Sequence, residues 1–215
     1  MSQGVERKPR ARGKVRRSAG SDVLLALPSD VRLFVSPEGF TRLCAANPEL
    51  RLERTARGVI EAMPPAFGGT GARNSRLTSQ IGHWAWNDGT GTAFDSSAGF
   101  TLPNGAIRSP DTSWIRNERW RALTEEQRED SFSPICPDFV VELRSRSDRM
   151  KKLRKKMREY IAQGARLGWL LDPKRGIAEI YRPGRPVERL VKSATLSGED
   201  VLPGFVLDCK GILFA

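Results

Sequence analysis

The spacing of apolar residues divides this chain into alternating helical and extended stretches. Ser36-Pro37-Glu38 reads as a helix start, with a capping hydroxyl and proline at the first helical position, and Asn47-Pro48 stops that helix. Leu50 to Thr55 and Val59 to Met63 carry alternating or β-compatible residues around Arg57-Gly58, predicting a strand pair closed off by Pro64-Pro65. Leu77, Ile81 and Trp84 recur at spacings of four and three, predicting a helix from about Thr70 to Trp86 with one apolar face. Short extended pieces follow at Gly91 to Asp95, Gly99 to Leu102 and Pro110 to Ile115, with a Pro103-Asn104-Gly105 turn, and together they predict a β-meander or bent sheet. Thr124-Glu125-Glu126-Gln127 matches a capping box and predicts a short acidic helix or helical turn.

The most strand-like run is Phe139-Val140-Val141-Glu142-Leu143, apolar on both faces except for one carboxylate. A basic helix is expected from about Asp148 to Gln163, ending at Gly164, with Met150, Leu153, Met157, Tyr160 and Ile161 as its apolar stripe. Arg166 to Asp172 and Ile177 to Arg182 then read as a strand hairpin about Asp172-Pro173-Lys174-Arg175-Gly176. This order argues for a single α/β or α+β domain with a mixed sheet flanked by helices.

Composition narrows the classes. At 215 residues the chain can bury a substantial core, and its longest apolar fragments, such as Leu167 to Leu171, fall far short of the roughly 20 residues that span a bilayer. No membrane partner is expected. The N-terminus lacks the apolar segment of a secretory signal, so a cytoplasmic location is expected. Cys44, Cys136 and Cys209 lie too far apart for a CxxC pair and read as small buried hydrophobes.

Thirty-six Lys and Arg against 25 Asp and Glu give a net charge of +11, which favours an anionic partner such as nucleic acid. Seven bases and one acid before Ser18 place six of those charges in an aromatic-free tail, residues 1–22, expected to be disordered. Such a tail either binds phosphates without reading sequence or merely solubilises the chain. The domain itself is expected over residues 30–213.

The candidate chemistry starts at Glu142, because an unpaired carboxylate inside an apolar strand costs several kcal/mol and therefore calls for a cation, a hydrogen-bond donor or a metal. Asp111, after Pro110 at the start of another extended piece, can bring a second carboxylate to the same sheet edge. Two carboxylates with waters and substrate phosphate suffice for Mg (or Mn), which takes oxygen ligands. His83 is the only histidine, which removes most zinc sites and Ser-His-Asp catalysis, and it reads as an ordinary helix residue. Gly68-Gly69-Thr70-Gly71 lacks the Gly-Lys-Ser/Thr of a phosphate loop. On the basic helix, Lys156 falls beside Leu153 and Tyr160 at the edge of the buried stripe and can point inward, whereas Lys151 and Lys155 fall on the exposed side. Lys156 is therefore the candidate catalytic cation.

Several runs together carry a resemblance: Pro110-Asp111, Pro137-Asp138-Phe139-Val140-Val141-Glu142-Leu143-Arg144-Ser145, Ser147-Asp148-Arg149, Lys156-Met157-Arg158-Glu159-Tyr160 and Gly168-Trp169-Leu170-Leu171-Asp172-Pro173. Over about residues 30 to 213 the chain resembles the Uma-two restriction-endonuclease family, within the PD-(D/E)XK nuclease superfamily. The resemblance implies a restriction-endonuclease-like fold, with the metal-binding Asp on one strand and the Glu on the next, roles that Asp111 and Glu142 match. The superfamily's lysine stands two residues after the Glu, where this chain has Arg144; the resemblance implies that the following helix supplies it, as Lys156. Arg144 can orient phosphate but cannot serve as a base. Arg146 stands where relatives usually have proline. Glu53 either completes the site or is an exposed hairpin carboxylate, and Asp138 reads as a strand-start residue.

The expected function is thus Mg-dependent hydrolysis of DNA phosphodiester bonds, with Asp111 and Glu142 on the metal, Lys156 assisting, and Lys151, Lys152 and Lys155 contacting DNA phosphates. Nuclease relatives imply a homodimer. The alternatives are a non-catalytic nucleic-acid-binding protein on the same fold, in which Glu142 and Lys156 form only a buried ion pair, and a structural protein whose charge aids solubility.

Overall fold

A computed structural model describes residues 31–214, so the basic segment 1–22 lies outside the described residues. From Leu33 onward the chain forms one unit. Its first helix, α1 (Pro37–Ala46), starts where Ser36 Oγ accepts the Gly39 N–H, with proline at the first helical position. Strands β1 (Arg51–Arg54) and β2 (Ile60–Met63) form the hairpin expected about Arg57-Gly58.

Helix α2 (Gly68–Asp88) begins two residues before Thr70, so the glycine-rich stretch forms its first turn: Thr70 and Gly71 donate to the Phe67 carbonyl. Glycine costs a helix interior about 1 kcal/mol but less in a first turn, whose N–H groups lack intrahelical partners anyway. Next come β3 (Gly91–Asp95), β4 (Phe100–Thr101), β5 (Ile107–Arg108) and β6 (Thr112–Arg116). They do not form one meander. β3 pairs with β6 in a central sheet, while β4 and β5 leave it to extend the β1–β2 hairpin in the order β2-β1-β5-β4. Period-two patterning sets which face a strand buries, not which neighbour it takes, and these two-residue strands are too short to carry a pairing signal.

After α3 (Asn117–Arg121), the short helix α4 (Glu125–Glu129) carries the complete reciprocal capping box of Thr124 and Gln127. Then β7 (Phe139–Leu143), α5 (Met150–Ala162) and β8 (Leu167–Asp172) form a βαβ unit, with β7 and β8 parallel. β9 (Ile177–Tyr181) and β10 (Glu188–Val191) complete a six-stranded mixed sheet of order β10-β9-β8-β7-β6-β3; a separate hairpin joins β11 (Thr195–Ser197) to β12 (Val206–Asp208).

Alternation along the central strands gives this sheet two buried faces. Phe139, Val141, Leu143, Trp169 and Leu171 pack with Leu77 and Ile81 of α2 and with the C-terminal Leu202, Phe205 and Leu207. Val140 and Leu170 point the other way, into a second core with Leu153, Met157 and Tyr160 of α5. Helix α5 sits close on the sheet because Gly168 lies beneath it; a Cβ there would come within 2.6 Å of Met157 Cε. Glu142, two residues along from Val140, therefore faces α5.

Candidate active site

Each site residue is delivered by a different element. In the β6–β7 register Thr112 pairs with Val141, so one step further Asp111 comes opposite Glu142 on the α5 side of the sheet. Asp111 Oδ2 accepts the Leu143 N–H at 2.7 Å, which clips the start of β6 to the end of β7. Lys156 enters from α5, and its Nζ lies 2.7 Å from Glu142 Oε1 and 2.6 Å from Glu53 Oε1. One turn further along α5, Tyr160 donates its hydroxyl to Glu142 Oε1 at 3.1 Å.

Glu53 is 3% exposed, which removes the exposed-hairpin alternative. Its strand β1 pairs with β5 so that Arg54 faces Ile107, which sets Glu53 opposite Arg108. Arg108 Nη1 approaches Glu53 Oε2 at 3.0 Å, and the Ser109 N–H donates to Glu53 Oε1 at 2.9 Å. Arg108 also binds Glu61 at 2.7 Å and Glu159 of α5 at 2.7 Å.

The two glutamates on Lys156 differ in what else they touch, and their acidities diverge accordingly. Burial pushes Glu142 up to about 8, against the pull of Lys156 and with the added repulsion of Asp111 and Glu53. Burial acts the same way on Glu53, but Lys156, Arg108 and the Ser109 N–H together hold it below the ordinary carboxylate value. Asp111 is raised, chiefly by burial, with the Leu143 N–H acting against it. Burial would lower the Lys156 amine, yet the carboxylates of Glu142 and Glu53 outweigh it and keep the ammonium charged. Tyr160 is raised by burial and by Glu142, so its hydroxyl remains a donor.

This donor set suits a hard divalent cation. Asp111 and Glu142 offer oxygens from one sheet face; burial is the chief reason both hold their protons more tightly than usual, and a divalent cation beside Lys156 would favour their ionised forms. Among the described residues no group of three or more His, Cys, Asp and Glu converges to enclose an ion, so the protein would contribute two carboxylates and leave the remaining positions to water and phosphate. A cleft of about 320 Å³ abuts the site through Ser109 and is lined by Arg51, Leu52, Met63 and Phe132.

Of the other candidates, Arg144 does not join the cluster. Its guanidinium binds both oxygens of Asp172, at 2.9 and 3.1 Å, at the ends of the parallel strands. Lys151 and Lys155 are exposed, as is Lys152, whose Nζ reaches Glu61 at 3.2 Å. Asp138 holds the Arg116 N–H and the Arg119 guanidinium, the role of a strand-start residue. Arg108 and Tyr160 were missed from sequence. A buried tyrosine hydroxyl normally needs a polar partner, so Tyr160, four residues after Lys156, carried a readable signal. Arg108 carried none, because its partners come from three separate segments.

The chain belongs to the Uma2 family, described as "Putative restriction endonuclease", whose profile matches residues 37–210. Among solved structures it is similar to a "putative nuclease belonging to DUF820" from Anabaena variabilis, with a TM-score of 0.69 and 22% identity, covering 83% of this chain and 97% of that one. No curated protein matches. The family's description supports a nuclease function, and the structural likeness shows the fold. Among the described residues no helix is long and apolar enough to cross a membrane.

Proposed function

We propose that this protein is a metal-dependent DNA endonuclease in which Asp111 and Glu142 hold Mg (or Mn) and Lys156 assists hydrolysis. The observation that carries this reading is the convergence of Asp111, Glu142 and an inward ammonium from α5 at the edge of a mixed sheet. When bound, the ion would supply Lewis-acid polarisation of the scissile phosphate and activate water. Lys156 would stabilise the charge that grows on the phosphoryl oxygens, with Glu53 fixing its direction. Tyr160 would orient Glu142 by donating to Oε1. Lys151, Lys152 and Lys155, on the solvent side of the same helix, would contact neighbouring phosphates without reading bases. A homodimer, as nuclease relatives imply, would place two such sites across the two strands, and sedimentation with and without DNA would measure it.

The test is plasmid and linear DNA cleavage with Mg or Mn, repeated with chelator and with Glu142→Ala and Lys156→Ala. Cutting that needs the metal and falls by about 10²-fold or more in both variants supports the reading. DNA binding that persists without cutting under either metal, unchanged in both variants, favours instead a nucleic-acid-binding module. One observation favours that second reading: Lys156 already has two carboxylate partners and Glu142 already has two donors, so the cluster can satisfy itself as a buried ion pair.

A further inference from the structure

Arg108 stands outside the reaction just described, yet it is the most heavily engaged cation of the described residues, 6% exposed and bound to Glu53, Glu61 and Glu159. Two of those partners bear on Lys156, one by direct contact and one through the helix they share. Glu53 shares the Lys156 ammonium directly, at 2.6 Å. Glu159 lies three residues after Lys156 on the same helix and receives Arg108 through Nη2 at 2.7 Å and Nε at 2.8 Å. The third, Glu61, sits opposite Glu53 in the β1–β2 register and ties in Lys152 at the solvent edge.

A single planar guanidinium thus joins the β1–β2 hairpin to α5 through fixed, forked hydrogen bonds, and Lys156 projects into the gap between them. A guanidinium can hold several carboxylates in set directions at once, which the single ammonium of lysine cannot. Without Arg108, Glu53 would lose one of its two cations, and α5 would lose its ion pair to β5. Apart from Lys156 with Glu142, α5 also pairs with the central sheet through Arg154, whose Nε lies 3.0 and 3.1 Å from the oxygens of Glu179 on β9 and which touches neither Glu53 nor Glu142.

Resting on the nuclease reading above, we infer that Arg108 is a positioning residue that sets the Lys156 ammonium against Glu142 by clamping Glu53 and Glu159 together. It acts through Lys156 and does not touch the reacting phosphate.

Two readouts test this on the full chain, one of them independent of cleavage. The first is competitive acetylation of lysines with acetic anhydride, read by mass spectrometry, in Arg108→Gln, with Arg108→Lys as the companion should the glutamine variant not fold. Release of the clamp raises Lys156 labelling by at least about tenfold while the exposed Lys151 and Lys155 keep their rates, since local opening exposes only the loosened group. Arg154→Gln, which removes a helix-to-sheet ion pair that does not touch Lys156 or its partners, leaves Lys156 labelling unchanged. Equal labelling of Lys156 in the parent and both Arg108 variants overturns the inference, as does an equal rise in Arg154→Gln, which would mark a general loosening of α5.

The second readout is a double-mutant cycle on cleavage. Arg108→Lys lowers kcat by about tenfold or more with little change in KM, and has no further effect in the Lys156→Ala background. Additive losses contradict action through Lys156. Should Lys156→Ala cut like the parent, the catalytic assignment of the lysine fails, while the labelling result still decides the clamp.

Discussion

Lys156 Nζ lies 2.6 Å from Glu53 Oε1, so a lysine on the fifth helix is held by a glutamate from the first strand of the other sheet. That pairing leaves Glu142 as the second partner of an ammonium already engaged, at 2.7 Å. Burial, with Asp111 and Glu53 nearby, pushes Glu142 up to about 8, so a divalent ion taken up there would displace its proton. The distribution of cations between the two glutamates separates a carboxylate fixed as a support from one free to take a ligand.

Replacing Lys156 by Met should therefore have two separable effects. Loss of a positioned charge at the developing oxyanion lowers cleavage by about 10²–10³-fold. Loss of the common partner of two buried carboxylates destabilises the fold by about 3–5 kcal/mol, which urea denaturation measures. Adding Glu53→Gln should restore part of the stability and none of the activity.

The metal-free protein should lose stability as pH rises through the titration of Glu142. Its folded pKa of about 8 lies above the ordinary 4.5, so the folded state retains a proton that the unfolded chain has released. The contribution is therefore complete below about 4.5 and is lost as pH climbs through about 8. Glu53 has the opposite sign: its lowered pKa stabilises above the ordinary carboxylate range, and that stability is lost as pH falls below it. Thermal melts between these limits should slope downward in the parent and flatten in Glu142→Gln. Mg should raise Tm more at the alkaline end, where Glu142 is ionised.

DNA affinity should depend on salt through the exposed face of α5. Lys151 and Lys155 are solvent-facing, while Lys152 is partly occupied by Glu61. Replacing Lys151 and Lys155 with Ala should lower the slope of log K against log salt by up to about 0.9 per lost phosphate contact, with a smaller change for Lys152→Ala. Fluorescence anisotropy with duplexes of two unrelated sequences checks this, and both should weaken alike.

Local signals made most of the fold legible. The capping box at Thr124, the Ser36 cap with Pro37 and the Phe139–Leu143 run each act over a few residues, and each element formed where those residues stand. Sheet membership was not legible, because Ile107 and Arg108 look alike whether their strand joins β6 or β1. The same limit shaped the site. Glu142 announced itself as a carboxylate among apolar neighbours, and Lys156 by its helical phase. Glu53 stayed ambiguous because its burial depends on Arg108 and Lys156, both distant in sequence. Arg144 looked like a site residue by its position two after Glu142, but Asp172 on the parallel neighbouring strand captures it.

Whether Asp111 and Glu142 share one divalent ion is measured most directly by diffraction from crystals soaked in Mn, collected where Mn scatters anomalously. An anomalous peak bridged by Asp111 and Glu142 carboxylate oxygens at about 2.0–2.3 Å, absent in Asp111→Asn, is the predicted result. The asparagine can still accept the Leu143 N–H, so this variant should keep the β6–β7 clip while losing the ion. A Mn-saturated crystal with no peak between these two carboxylates, or with a peak that survives Asp111→Asn, would contradict the assignment.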